Sequence, residues 1–177
     1  MLANAITMLR IALVPFVLWV VLAEPDRSSG LRWIAVLLFV LSAATDSLDG
    51  AIARKRGEVT NLGKILDPIA DKLLIGGTIV ALSLMGNLEW WVSAVVILRE
   101  LAITLYRLLV VKKRVIAASG LGKLKTVFQA IMVGFLLSPS GWLFGGFQAV
   151  LEGILIALSV TLTLVSAADY VAKAVKR

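Results

Sequence analysis

The sequence predicts an all-α integral membrane protein of six transmembrane helices, and three observations carry that reading. Of its 177 residues, 60% are hydrophobic and only 16% charged, whereas a water-soluble domain usually devotes about a quarter of its residues to charge. Mean hydropathy is +0.97. Apolar stretches of the roughly 20 residues needed to cross a hydrocarbon core recur along the whole chain, and basic residues crowd alternate breaks between them.

The first stretch covers residues 5–23. Arg10 interrupts it, and the clean apolar run from Ile11 to Ala23 is too short to cross alone, so residues 1–10 are expected to begin as an interfacial helix. Glu24-Pro25-Asp26 and Ser28-Ser29-Gly30 supply turn chemistry before the second stretch, 31–48. The third stretch, 65–84, ends at Gly86-Asn87, and the fourth runs over 90–111. The fifth, 124–143, carries Ser138-Pro139-Ser140-Gly141 near its end; Gly145-Gly146 precedes the sixth, 147–168. No interval leaves room for a separate soluble unit, so residues 1–177 are read as a single membrane-embedded catalytic domain.

Orientation follows from the cations. Arg54, Lys55, Arg56 and Lys64 lie between spans two and three; Lys112, Lys113, Arg114 and Lys123 lie between four and five, with Lys125 at the start of five; Lys173, Lys176 and Arg177 form the tail. These segments are expected to face the cytoplasm of a cell membrane, with both termini on that side. Trp19, Trp33, Trp90, Trp91 and Trp142 then fall at outer helix ends, where indoles favour the headgroup layer. The net charge of +7 is therefore read chiefly as topology and contact with membrane lipids. Nucleic acid is not expected as a partner, because the charges mark one membrane face and no aromatic residues interleave with them.

The chain contains no cysteine and no histidine. That removes thiolate nucleophiles, imidazole bases and nitrogen- or sulfur-ligated metals, leaving acid/base and metal chemistry to 11 carboxylates. Four of them are aspartates that fall between residues 46 and 71. Asp46 and Asp49 stand i, i+3 at the inner end of span two, and Asp67 and Asp71 stand i, i+4 at the inner start of span three. Each pair shares a helix face, and antiparallel neighbours joined by a short loop bring all four to one depth. One carboxylate in a membrane costs about 2.5–3.5 kcal/mol on insertion scales, so four together need cations. Oxygen-only ligation points to Mg²⁺ or Mn²⁺, and four carboxylates suit two ions arranged for phosphate chemistry. The alternative for the same residues is a set of helix-end ion pairs with Arg54, Lys64 and Lys72. Gly50 and Ala53 leave room beside the acids for a nucleotide or diphosphate, or equally for close helix packing.

At these residues the sequence resembles the CDP-alcohol phosphotransferase family, whose signature is D-x2-D-G-x2-A-R-x8-G-x3-D-x3-D. Asp46, Asp49, Gly50, Ala53, Arg54, Gly63, Asp67 and Asp71 meet it without a gap. Asn4-x2-Thr7-x2-Arg10 with Pro15, the run from Asp67 to Lys72, Arg99-Glu100, and Gly122-Lys123-x-Lys125-Thr126 extend the likeness over nearly the whole chain. The resemblance implies a six-helix membrane enzyme that passes a phosphatidyl or similar group from a CDP-linked donor to an alcohol and releases CMP. It is strongest to bacterial members that use CDP-diacylglycerol as donor and sn-glycerol 3-phosphate as acceptor, and it implies a homodimer; Gly76-Gly77 and Gly134 are candidate close helix contacts.

On this basis Asp46, Asp49, Asp67 and Asp71 are expected to hold two divalent metal ions, with Asp71 also the catalytic base. Asp46, Asp49, Gly50, Ala53, Arg54, Gly63 and Thr7 are expected on the donor. A phosphorylated acceptor needs further positive charge, and Arg99, Arg107, Arg114, Lys123 and Lys125 are the candidates. Glu100, beside Arg99 and seven residues before Arg107, offers ion pairing as the other explanation for those two arginines. Rival acceptors are inositol phosphate, serine, or phosphatidylglycerol in a cardiolipin-forming reaction; the arginines argue against serine. A divalent-cation transporter would use the same aspartates, but such sites usually lie at the membrane midplane between inverted repeats, and no repeat is visible here.

Overall fold

The computed structural model describes residues 2–24, 29–56, 61–110, 120–139 and 144–175, with side chains at all of these except 2–7, 9–10, 46–56, 61–68, 107–110 and 174–175. The described residues form six long helices: α1 (Leu2–Ala23), α2 (Arg32–Arg56), α3 (Asn61–Leu84), α4 (Trp90–Val110), α5 (Gly120–Leu137) and α6 (Phe147–Val175). α1 packs along both α2 and α3, and α5 lies along α6. α4 bridges α3 and α6, and α5 also touches α2 and α3.

Several helix ends differ from the apolar stretches, each for a local reason. α1 is helical from Leu2 straight through Arg10, with Pro15 inside it. α2 continues past the apolar run to Arg56, and α3 starts at Asn61, so the backbone of all four aspartates of the signature is helical. Hydropathy reports burial in lipid; backbone hydrogen bonding carries the helix onward once lipid contact ends. α3 ends in a Schellman motif: Gly86 adopts φ 71°, its N–H donates to the Ser83 carbonyl at 3.1 Å, and Asn87 N–H donates to that of Leu82 at 2.9 Å. α5 stops at Leu137, six residues before the apolar run does, because Pro139 has no N–H to donate. There the Ser138 hydroxyl donates to the Phe135 carbonyl at 2.7 Å.

The bundle is apolar outside and partly polar inside. Leu37, Leu41, Leu73, Leu98, Leu101, Leu105, Ile131 and Leu158 are exposed, as are Trp19, Trp33, Trp90 and Trp91, while Ser42, Thr78, Ser93, Gln129, Ser159, Thr163 and Ser166 are buried. Trp142 lies outside the described residues. A lipid exterior rewards this arrangement, since small polar residues link helices where no water competes. By length and composition, Gly120–Leu137 and Phe147–Lys173 are each apolar enough to cross a membrane among the described residues; Ile11–Ala23 and Arg32–Thr45 are shorter apolar lengths.

The apolar core gathers Val14, Val17 and Val21 of α1, Phe39 of α2, Leu74, Ile79 and Leu82 of α3, Val96 of α4 and Met132, Val133 and Leu136 of α5. Arg32, fully buried at the start of α2, donates through Nε to the Glu24 carbonyl at 2.8 Å and meets Met85 Sδ at 3.9 Å. One side chain thus ties the end of α1 to the end of α3.

Candidate active site

The site is built where α3, α4 and α5 converge. Asp71 and Lys72 on α3, Glu100 on α4 and Lys125 on α5 line one cavity of about 80 Å³, with Ile75, Gly76, Val96 and Gln129 among its other walls. A water occupies about 30 Å³ of liquid, so the space suits a small polar group or a few waters. Asp71 is half-buried.

Charge at this cavity is organised by one oxygen. Glu100 Oε1 accepts from Lys125 Nζ and also from Arg99 Nη1, the latter at 2.7 Å. Arg99 Nη2 donates to Ser166 Oγ on α6 at 2.9 Å, and the Ser166 hydroxyl donates to the Thr163 carbonyl at 3.0 Å. Lys72 Nζ donates to Thr104 Oγ1, whose hydroxyl donates to the Glu100 carbonyl at 2.6 Å. Behind these, Gln129 Nε2 donates to Thr163 Oγ1 at 3.0 Å. Charged groups sunk among apolar helices persist only when paired in this way.

Of the acceptor-side residues, Lys125 is buried and on the cavity wall, whereas Lys123, two positions earlier on the same helix, is exposed. A two-residue step turns an α-helix by about 200°, which separates them onto different faces. Arg99 is engaged by Glu100 and Ser166, the pairing anticipated as its other explanation. It also borders an apolar groove of about 580 Å³ between α4 and α6, with Tyr106 and Tyr170 on its walls. Arg107 is placed on α4 by its backbone, its side chain falling outside the described ones, and Arg114 lies outside the described residues altogether.

Asp46, Asp49, Gly50, Ala53 and Arg54 ride on α2, Gly63 and Asp67 on α3 and Thr7 on α1, all with backbone helical and with side chains outside the described ones. α2 and α3 are in contact. Among the described residues there is no group of three or more carboxylates close enough to hold an ion, Asp71 being the one signature aspartate whose side chain is described. Its hard oxygen donors, and those of the three other aspartates on the same helix pair, are of the chemical type that Mg²⁺ and Mn²⁺ take.

The structure adds residues that sequence reasoning left out of the site: Glu100 as the hub, with Thr104, Ser166 and Gln129 around it. The available signal was Glu100 itself, the only acid between Trp90 and Val110, because an isolated acid within a span is costly and needs a reason.

A half-buried aspartate and a cluster of cations thus meet around one cavity, in a bundle of apolar-surfaced helices whose α2 and α3 carry the aspartate signature. The family model for CDP-alcohol phosphatidyltransferase matches residues 1–165, and the chain belongs to that family. Among curated relatives, it is 39% identical over 175 residues to a probable phosphatidylglycerophosphate synthase of Mycobacterium tuberculosis, covering 99% of this chain and 82% of the relative. It is 40% identical over 146 residues to a CDP-diacylglycerol–glycerol-3-phosphate 3-phosphatidyltransferase of Bacillus subtilis, with 77% and 76% of the two chains covered. A relative of the same name in Rickettsia felis is 38% identical over 140 residues, covering 78% and 76%.

Proposed function

We propose that the protein transfers the phosphatidyl group of CDP-diacylglycerol to sn-glycerol 3-phosphate, yielding phosphatidylglycerophosphate and CMP for phospholipid synthesis. Family membership supports the donor, and the names of its relatives support the acceptor. The observation that carries the chemistry is the meeting of the Asp71 carboxylate and the Lys125 ammonium at one cavity.

In this reading six membrane spans present the signature face to the cytoplasm of a bacterial plasma membrane, with both termini on that side and two copies forming a homodimer. Asp46, Asp49, Asp67 and Asp71 would hold two divalent ions, Mg²⁺ or Mn²⁺, which when bound neutralise and orient the donor diphosphate. Arg54 would neutralise that diphosphate, Gly50 and Ala53 would leave room for the cytidine, and Gly63 and Thr7 would contribute to donor binding. The primary hydroxyl of the acceptor attacks the phosphorus that bears the diacylglycerol. A new P–O bond forms there, the bond to the CMP oxygen breaks, and Asp71 takes the hydroxyl proton. Lys125 meets the acceptor phosphate from the cavity wall, joined by Lys123, Arg107 and Arg114 from the cytoplasmic side, while Arg99 acts through Glu100.

Purified enzyme given CDP-diacylglycerol, Mg²⁺ and one acceptor at a time tests this. CMP release is expected with sn-glycerol 3-phosphate. Turnover with inositol phosphate or phosphatidylglycerol in its place would reassign the acceptor, and cation flux into proteoliposomes without CMP release would overturn the enzyme reading.

A further inference from the structure

Lys125 is 3% exposed, and an ammonium so deep in a bundle needs a counter-charge fixed beside it. Glu100 supplies that charge from the neighbouring helix, and Glu100 is fixed in turn. Arg99 Nη1 holds the same carboxylate oxygen at 2.7 Å, and Arg99 is pinned to α6 by its 2.9 Å bond to Ser166. The chain of contacts therefore runs from α6 through Arg99 and Glu100 to Lys125, and ends at the cavity. Two cations share one carboxylate, so the triad keeps a positive surplus. A lysine has three N–H donors, and one bond to Glu100 leaves donors for an anion in the cavity. Asp71 and Lys72, the other ionisable groups on the cavity wall, are of opposite sign and leave the surplus standing.

We propose that Glu100 is a positioning residue for the acceptor: it holds the Lys125 side chain in place at the cavity wall to receive the phosphate of the incoming alcohol, while Arg99 and Ser166 hold Glu100. The inference rests on the acceptor reading above. Glu100 does not itself touch substrate, and its carboxylate would repel a phosphate brought directly against it. Its effect is exerted on the ammonium, so it belongs to acceptor binding and not to the phosphoryl step.

Steady-state kinetics of the purified full-length enzyme, with both substrates varied, separate these roles. Glu100→Gln keeps the shape and removes the charge; it is expected to raise the KM for sn-glycerol 3-phosphate about tenfold, the scale of a lost charge-assisted contact. The KM for CDP-diacylglycerol should stay unchanged, and kcat at saturating acceptor should fall less than about threefold. Glu100→Asp should fall between wild type and Glu100→Gln, and Ser166→Ala, which loosens only the far anchor, should raise the acceptor KM about twofold. If Glu100→Gln fails to fold, the two milder variants carry the same comparison. Equal rises in both KM values, or a fall in kcat with the acceptor KM unmoved, would overturn the proposal. Lys125→Gln tells the two readings apart. If it raises the acceptor KM while Glu100→Gln does not, the positioning role fails and the acceptor reading stands; if it leaves that KM unmoved, both fail.

Discussion

A Cβ built on Gly77 of α3 would lie 3.1 Å from Leu18 Cδ1 of α1, whereas one built on Gly76 next to it would meet nothing within 4 Å. The adjacent glycines therefore do different work: Gly77 lets α1 approach, and Gly76 keeps the cavity beside Asp71 open. Gly77→Ala should force Leu18 to move and cost about 1 kcal/mol, the lower end for overpacking, read as a lowered thermal midpoint in detergent. Gly76→Ala should hold or raise that midpoint, because alanine in a helix interior gains about 0.5–1 kcal/mol over glycine. Its added methyl should instead raise the KM for sn-glycerol 3-phosphate, and Gly76→Val should do so more strongly.

Asp71→Asn preserves size and removes the base. CMP release should fall about a hundredfold to ten-thousandfold, while CDP-diacylglycerol binding, measured by equilibrium binding to the purified variant, should be largely kept. Near-normal turnover would take Asp71 out of the proton-transfer role.

Lys125 and Lys123 make an internally controlled pair. Lys125→Ala should raise the acceptor KM about tenfold or more, since a buried cation at the cavity is lost and Glu100 keeps only Arg99. Lys123→Ala removes an exposed charge and should have a smaller effect, salt-sensitive as surface contacts are. A rise no greater than that from substituting the tail residue Lys173 would remove Lys123 from the acceptor pocket.

Chelation tests the aspartates as a set. EDTA should abolish CMP release, and added Mg²⁺ or Mn²⁺ should restore it, as expected for oxygen-only ligation. Full activity after exhaustive chelation would return the four aspartates to helix-end ion pairing.

The helix count and the Gly86-Asn87 break were legible in the sequence because apolar length and glycine turn chemistry are local properties. Helix ends were less so. The charged continuation of α2 to Arg56 leaves no hydropathy signal, and although Ser138-Pro139-Ser140-Gly141 is turn chemistry, Trp142 and Leu143 carry the apolar stretch on past the end of α5. Within the site, Asp71 and Lys125 stood out as charges in a spaced pattern. The hub role of Glu100 did not, because it depends on α4, α5 and α6 meeting, and a neighbour in sequence, Arg99, offered a sufficient local partner. Thr104, Ser166 and Gln129 resemble ordinary packing residues until tertiary contact assigns their hydrogen bonds.

The burial of Arg32 bears on how this enzyme can be altered. It fastens α1 to α3 at the start of α2, fourteen residues before Asp46, or about 21 Å along the helix at 1.5 Å per residue. One contact that fastens α1 to α3 thus sits at the end of the bundle remote from the signature. A programme of stabilisation for crystallisation or inhibitor screening has a region in which to work, around Glu24, Arg32 and Met85, where gains in melting temperature need not be traded against turnover.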